Sequence, residues 1–223
     1  MLNQRINNYE VININTYLGR KHFLAFKDLD TPTYAFTTEL DISLFYAYIK
    51  KHNLPAYLSL IYLINNAINK IPEFRLRYVN NELRLYEYAD PGFTIMTDLG
   101  RYDNCDDVRI HSDYQTFIAE GRQEINRLKD GSGLLLEQND TRYDYIFYSS
   151  VPWIELTSLT QVMNNDEFAY IPRIAWDKFK ITDDKVTMHL FMQVHHAVID
   201  GYPAALAVQE IQKALNDPKG SLT

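Results

Sequence analysis

The sequence predicts an α+β fold, a two-layer sandwich in which helices cover one face of a mixed, mostly antiparallel sheet. Segments rich in aromatic and β-branched residues intermix with segments whose apolar residues recur at helical spacing. Two pairs of strand-like segments are joined by short polar turns, as in antiparallel hairpins. No internal repeat, low-complexity tract or flexible linker divides the chain, so we expect a single domain over residues 1–223.

The first half of the chain provides most of the predicted helices. The predicted elements are a helix at 20–27, a strand at 33–42, helices at 44–52 and 56–71, strands at 74–79 and 82–88, and a strand at 93–97. Asp41 is a plausible N-cap for the second helix. Pro55 opens the third helix, which is apolar on most faces and is expected to be buried. Asn80 and Asn81 form an acceptable two-residue hairpin turn.

The second half of the chain ends in a long hairpin followed by a helix. Its predicted elements are a helix at 112–129, a strand at 144–150, two strands at 179–182 and 185–196, and a helix at 203–216. Asp183 and Asp184 separate the last two strands. Pro203 opens the final helix, as proline often does at the first helical position.

Composition excludes several classes of function. The formal net charge is −7 and the basic residues are scattered, which argues against a nucleic-acid partner. No segment has the roughly 18 uninterrupted apolar residues of a membrane span, so no membrane partner is expected. Cys105 is the single cysteine, which excludes an internal disulfide and is consistent with a cytoplasmic protein. The 17 tyrosines and 11 phenylalanines suit a lined pocket or a subunit interface.

The segment HHAVIDG, residues 195–201, lies where a long strand stops and a helix starts. A histidine at such a junction is held by the strand, yet it is accessible to a ligand. With an ordinary pKa of about 6.5, it could remove a proton from a hydroxyl near neutral pH. Asp200 could orient its neighbours or cap the helix, and Gly201 could permit a sharp bend. A packed, hydrogen-bonded histidine pair is the structural alternative.

Metal binding by the two histidines is not expected. Adjacent side chains on a strand point to opposite faces of the sheet, so one ion seldom takes both. No HxxxH motif or cysteine cluster accompanies them in the sequence.

Five collinear segments resemble the chloramphenicol acetyltransferase family. QVHHAVIDG is similar to its HHxxxDG signature, which dihydrolipoyl acyltransferase cores share more loosely. The other four segments, in chain order, are RKHFLAF (20–26), PEFRLRYVNNELRLYE (72–87), DPGFTIM (90–96) and SSVPWIELTSL (149–159). The similarity covers essentially the whole chain, and it implies the chloramphenicol acetyltransferase-like (CoA-dependent acyltransferase) fold.

This resemblance implies an O-acetyltransferase that uses acetyl-CoA as co-substrate and no metal. The family forms a homotrimer with each active site at a subunit interface. By resemblance, His196 is the general base that deprotonates the acceptor hydroxyl, which attacks the thioester directly. Ser149 would stabilise the oxyanion, and Asp200 would give structural support. Trp153 would help to wall the coenzyme channel.

Three positions depart from the pattern of the resistance enzymes. The expected arginine partner of Asp200 falls at Gly19, so this ion pair is absent unless Arg20 replaces it. Ala25 and Phe26 stand where those enzymes carry a phenylalanine and a tyrosine that line the acceptor pocket. Arg173 is matched with a threonine that holds an oxyanion-stabilising water. An arginine there could stabilise the oxyanion directly, bind a polar acceptor or prevent the arrangement of threonine and water.

The small-molecule hydroxyl acceptor is therefore open at this stage. Chloramphenicol, with antibiotic resistance as the biological role, is the acceptor that the family implies. A different small hydroxyl compound is the alternative that Ala25, Phe26 and Arg173 favour. A further alternative is a non-catalytic trimeric binding protein of the same fold.

Overall fold

The structure, a computed structural model, describes residues 7–110, 113–131, 133 and 142–222. The described strands are β1 (Tyr9–Ile12), β2 (Thr33–Asp41), β3 (Leu76–Val79), β4 (Glu82–Tyr86), β5 (Asp90–Met96), β6 (Tyr102–Cys105), β7 (Tyr145–Val151), β8 (Arg173–Asp177), β9 (Lys180–Ile181) and β10 (Val186–His195). The described helices are α1 (Arg20–Phe26), α2 (Ser43–His52), α3 (Ala56–Ile68), α4 (Tyr114–Leu128), α5 (Gly201–Asn216) and α6 (Pro218–Ser221). None of these helices combines the length and the apolar character that crossing a membrane requires.

The main sheet is mixed, as predicted. Within the described residues its strand order is β2-β10-β8-β7-β5-β6, and β9 also pairs with β10. The pairs β5–β7 and β7–β8 are parallel, and the remaining pairs are antiparallel. A smaller antiparallel sheet has the order β1-β4-β3. Its hairpin turn has φ of 51° at Asn80 and 63° at Asn81, the left-handed pair that a two-residue turn requires.

Helix α3 packs at the centre of the core on one face of the main sheet. Nearly all of its residues are buried, as its apolar character on most faces predicts. The ring of Tyr57 contacts Phe93 of β5 and Trp176 of β8, at 5.9 and 5.5 Å between centroids. The hydroxyl of Tyr148 donates to Oδ1 of Asn65 over 2.8 Å. The even-numbered positions of β7, β8 and β10 therefore face the helices.

The odd-numbered positions of β7, β8 and β10 form the opposite face, called here the open face. Because side chains alternate along a strand, Ser149, Arg173 and Asp177 all point to it. An irregular segment, residues 152–166, crosses this face: Leu156 N–H donates to Asp177 over 2.9 Å, and Gln161 N–H donates to the side chain of Gln193 over 2.7 Å. The open face thus carries polar side chains, and the short 3-10 helix Glu167–Tyr170 packs on one end of it through Tyr170 and His195.

Ion pairs in the protein interior join the start of β5 to the start of β7. The side chains of Asp90 and Asp144 are fully buried, and that of Arg142 is 1% exposed. Arg142 donates to Asp144 over 2.9 Å and to Asp90 over 3.1 Å. Asp90 also accepts from Arg109 and, over 2.9 Å, from Asn7. Because each buried charge is paired and hydrogen-bonded, this cluster satisfies the condition for keeping charges in an apolar interior.

Several element boundaries differ from the prediction. Helix α2 begins at Ser43 with Ile42 as its N-cap, so Asp41 is not the cap, although its carboxylate accepts the Ser43 N–H over 2.9 Å. The strand expected from residue 74 begins at Leu76, because Pro72–Arg75 forms a 3-10 turn. Strands β1, β6 and β8 were not predicted. Residue 112, the predicted start of α4, lies outside the described residues.

Candidate active site

His196 lies in the turn between β10 and α5. Its backbone N–H donates to the carbonyl of Pro32 over 2.8 Å, just before β2 begins. Its own carbonyl accepts a hydrogen bond from Nε2 of His22 on α1. Strand β10, the start of β2 and α1 together hold this residue in place. Such a fixed backbone is what a positioned general base requires.

The imidazole of His196 is surrounded by rings. Phe26 lies 4.1 Å away between centroids, and His22 and Tyr34 each lie 4.9 Å away. The residue is half-buried. Its Nδ1 is buried and has no hydrogen-bond partner among the described residues, which leaves Nε2 as the nitrogen available to a substrate. This arrangement is consistent with proton transfer at Nε2.

The neighbouring His195 has a different environment. It is 1% exposed, and its ring stacks on Tyr170 at 3.8 Å between centroids. Its Nδ1 accepts the backbone N–H of Ala197 over 3.2 Å. Burial, with a smaller contribution from His196, lowers the pKa of His195 to about 4. His195 is therefore a neutral packed residue at neutral pH, whereas His196 is only partly buried.

Asp200 caps α5, since its Oδ1 accepts the backbone N–H of Tyr202 over 2.9 Å. No basic side chain pairs with Asp200 in the described part of the chain, so Arg20, which is exposed, does not replace the missing arginine. The Tyr17 ring covers Gly19 instead: a Cβ there would lie 2.7 Å from that ring. Burial raises the pKa of Tyr17, and the charges of Glu73 and Asp200 add to this shift.

Gly201 is not needed for a bend. Its φ is outside the left-handed region, and a Cβ at this position would meet no atom within 4 Å. The suggestion that glycine permits a sharp turn here is therefore wrong for this chain. The turn is instead closed by the N–H groups of Val198 and Ile199, which both donate to the carbonyl of His195, over 3.2 and 3.0 Å.

Ser149 lies on β7 and points to the open face. Its hydroxyl is 3.0 Å from that of Thr94 on β5, and the residue is half-buried. Ser149 pairs with Ala175 of β8, which pairs in turn with Phe191 of β10. His196 follows Phe191 by five residues, which is about 16 Å along the strand, and β7 lies about 10 Å across from β10. Ser149 and His196 of one chain are thus far apart and do not form one site.

Arg173 lies on the open face, between the positions of Ser149 and His196. It pairs with Phe147 and Gln193, so it is two residues away from the Ser149–Ala175 pair. Its guanidinium lies 5.4 Å from the Phe147 ring, and it donates long hydrogen bonds to the carbonyls of Phe168 and Ile171, over 3.4 and 3.3 Å. Burial lowers its pKa to about 10, and the charge of Asp166 opposes the shift. No carboxylate lies within ion-pair distance of it in the residues described.

The other expected binding residues fall into two groups. Ala25 and Phe26 lie on α1, and the Phe26 ring contacts His196. Trp153 follows β7, on the side of Ser149, where it is 58% exposed. A groove of about 360 Å³ opens at that end of the sheet, between α2, the start of α3 and β9. Among the described residues, no group of three or more His, Cys, Asp or Glu side chains is arranged to hold a metal ion.

Comparison with known proteins identifies the family. The family model described as chloramphenicol acetyltransferase matches residues 7–212. The chain belongs to the chloramphenicol acetyltransferase family. It is 31% identical to a chloramphenicol acetyltransferase of Bacillus pumilus, over 88% of this chain and 89% of that one. It is 29% identical to chloramphenicol acetyltransferase 2 of Escherichia coli, over 92% and 96% of the two chains.

A solved chloramphenicol acetyltransferase has the same fold. It superposes with a TM-score of 0.84 at 24% identity, over 93% of this chain and 100% of that one. The predicted fold and family are therefore confirmed. As a member of this family, the chain is an acyltransferase.

Two residues of the candidate site were missed by sequence reasoning. His22 was quoted only as part of the RKHFLAF segment, and Tyr34 only as part of a strand. The folded chain brings both to His196. The sequence carries one weak signal, since His22 lies four residues before Phe26 and shares its helix face. Tyr34 has no such signal, because its contact with His196 depends on the pairing of β2 with β10.

Proposed function

We propose that this enzyme transfers the acetyl group of acetyl-CoA to a hydroxyl of chloramphenicol, with His196 as general base. The observation that carries the proposal is the environment of His196 in a chain of this family. It is a half-buried histidine with a fixed backbone, beside a buried histidine that stays neutral. The relatives of similar length are described as chloramphenicol acetyltransferases, which supports the same acceptor here. Acetyl-CoA is a cytoplasmic metabolite, so a cytoplasmic enzyme goes with this proposal.

We further propose that the working form is a homotrimer whose sites lie between subunits. One chain keeps Ser149 and His196 far apart in register, so a site that uses both must combine Ser149 of one subunit with His196 of another. The trimer is the assembly that the family resemblance implies. Exposed apolar side chains such as Leu18 and Val162, at 103% and 95%, are available for such contacts.

In this mechanism Nε2 of His196 takes the proton of the acceptor hydroxyl as the oxygen attacks the thioester carbonyl. The hydroxyl of Ser149 donates a hydrogen bond to the resulting oxyanion. When the tetrahedral intermediate collapses, the C–S bond breaks, and the imidazolium returns the proton to the departing thiolate. The products are the acetyl ester and CoA. Binding both substrates at one site removes much of the entropic barrier, so no acetyl-enzyme is needed.

The groove beside β9 is our proposed binding site for the coenzyme. Its lining includes Tyr46 and Lys50 of α2 and Phe179 before β9. Aromatic rings can stack on adenine, and a lysine can pair with phosphate. Phe179 follows Asp177, which pairs with Val151, two residues after Ser149. The groove therefore lies at the end of the sheet where the strands that carry Ser149 and Arg173 finish, on the face that the helices cover.

The test is the rate of thiol release from acetyl-CoA by the purified enzyme, with and without chloramphenicol. We expect release to depend on chloramphenicol. The variant His196→Ala should lower the rate by about 10²–10⁴-fold, while acetyl-CoA affinity stays near the wild-type value. Activity of this variant within about tenfold of the wild type would contradict the assignment of the base.

A second acceptor class is favoured by one observation, the half-buried guanidinium of Arg173 without a carboxylate partner in the described residues. Such a group could bind a polar or acidic hydroxyl compound. The same assay with neutral and negatively charged hydroxyl acceptors distinguishes the two. If thiol release is faster with a charged acceptor, and Arg173→Gln removes this difference, the charged compound and not chloramphenicol is the substrate. Coenzyme binding with no release for any acceptor would favour a binding protein.

A further inference from the structure

The hydroxyl of Ser149 has one hydrogen-bond partner in the part of the chain that the structure describes, the hydroxyl of Thr94. The two oxygens are 3.0 Å apart, an ordinary hydrogen-bond distance. Either oxygen can be the donor, since each hydroxyl has one hydrogen and two lone pairs. The direction of this bond decides whether the hydrogen of Ser149 is available to a substrate.

Strand pairing brings the two hydroxyls together. The parallel pairing of β5 with β7 runs as far as Phe93 and Tyr148, so Thr94 and Ser149 are the next residue on each strand. Phe93 is buried against the ring of Tyr57 on α3, and side chains alternate along a strand. Thr94 therefore points to the open face, as Ser149 does.

The backbone around this pair is held on both strands. The hydroxyl of Tyr57 donates to the carbonyl of Thr94 over 2.6 Å. The hydroxyl of Tyr102 donates to the carbonyl of Ser150 over 3.1 Å. Threonine is also stiff about χ1 because its β-carbon is branched, whereas serine is less restricted among its staggered rotamers. Thr94 is thus a fixed group that can direct the hydroxyl of Ser149.

We infer that Thr94 is a positioning residue: it donates its hydrogen to the oxygen of Ser149 and so directs the hydrogen of Ser149 toward the substrate oxyanion. This role rests on the proposed function, in which Ser149 donates to that oxyanion. The opposite direction would engage the hydrogen of Ser149 with Thr94 and leave only lone pairs toward the substrate, which repel a negative charge. A hydroxyl that accepts a hydrogen bond is also polarised and becomes a stronger donor.

The first test compares Thr94→Val, which keeps the shape of the side chain and removes the hydroxyl, with Thr94→Ser, which keeps the hydroxyl. The assay is thiol release from acetyl-CoA with chloramphenicol. We expect Thr94→Val to lower kcat by about 5–10-fold, the effect of one ordinary hydrogen bond, with the KM of both substrates within about twofold of the wild type. Thr94→Ser should restore most of the rate. Thr38→Val, the same change at a half-buried position of β2, is the matched control and should leave kcat unchanged.

A double-mutant cycle shows whether Thr94 acts through Ser149. Ser149→Ala removes the oxygen that Thr94 directs, so adding Thr94→Val to it should change kcat by less than about twofold. An equal loss with and without Ser149 would mean that Thr94 contacts the substrate or supports the fold, and the positioning role would be wrong. A higher rate in Thr94→Val alone would mean that Ser149 is the donor, which overturns the inference as well.

The second test needs no turnover. In Ser149→Cys, a donor hydroxyl at position 94 stabilises the thiolate and lowers the pKa of the introduced thiol, which is read from the pH dependence of alkylation by iodoacetamide. Cys105 gives little background, because it is fully buried and burial raises the pKa of its thiol. Adding Thr94→Val should raise the pKa of the introduced thiol and slow its alkylation at neutral pH by about threefold.

The two tests separate this inference from the proposed function. If the wild type transfers no acetyl group to any acceptor, the proposed function fails. An alkylation rate that responds to Thr94→Val then still supports the hydrogen bond from Thr94 to position 149, and an unchanged rate overturns it. If another hydroxyl compound replaces chloramphenicol as the acceptor, the double-mutant cycle is measured with that compound and has the same expected result.

Discussion

A subunit-mixing experiment tests whether Ser149 and His196 act across a boundary between chains. The strand register separates these two side chains within one chain. Two inactive variants, Ser149→Ala and His196→Ala, would be co-expressed with different affinity tags. The second variant keeps a working serine and the first keeps a working histidine. Assemblies that carry both tags would be isolated by two successive affinity steps.

The expected activity follows from the symmetry of a closed ring of three subunits. If each site takes its serine from one subunit and its histidine from the next, every mixed trimer contains one intact site, whichever variant is in excess. The doubly tagged fraction should therefore have about a third of the wild-type rate per trimer. Each variant alone should have lost about 10²-fold or more, because it lacks either the base or the oxyanion donor.

The assay is thiol release from acetyl-CoA in the presence of chloramphenicol, with light scattering to give the mass of the assemblies. Purified variants mixed without subunit exchange are the control and should stay at the background rate. Doubly tagged trimers at the background rate would refute the proposed division of the site. A stable monomer in solution would do the same.

Two other predictions concern stability. Asp90→Ala should cost about 3–5 kcal/mol in urea denaturation, because it leaves Arg109 and Arg142 to share Asp144 as a counter-charge. Glu82→Gln, which breaks a half-exposed pair with Arg84, should cost less than about 1 kcal/mol, and equal losses would contradict the argument. Burial lowers the pKa of His195 to about 4 in the folded chain. The unfolded state therefore binds more protons between about pH 6.5 and 4, so stability should fall as pH falls. At pH 5, His195 alone should lower the free energy of unfolding by about 2 kcal/mol. His195→Gln should remove that part of the pH dependence, and identical slopes for both proteins would show that His195 is not the cause.

The helical part of the fold was predictable because local patterns are strong there. Helix α3 has apolar residues on most faces, and proline marks both its start and the turn after it. The hairpin β3–β4 was predicted from the two asparagines of its turn. Strand β8 was missed because Arg173–Asp177 is short and its neighbours on both sides, β7 and β10, are distant in sequence. Strand β6 contains Asp103 and Asn104, which have poor strand propensity, and its pairing with β5 overrides that preference.

The sequence by itself determined the class of the fold, the family resemblance and the two-histidine motif at the end of the last strand. These follow from periodicity, turn residues and a short motif, all of which are local along the chain. Only the tertiary structure decided that His195 is buried against Tyr170, that Tyr17 covers Gly19 and that Tyr34 contacts His196. It also showed that Ser149 and His196 of one chain are far apart. These relations depend on strand order and register, which bring together residues that no local pattern connects.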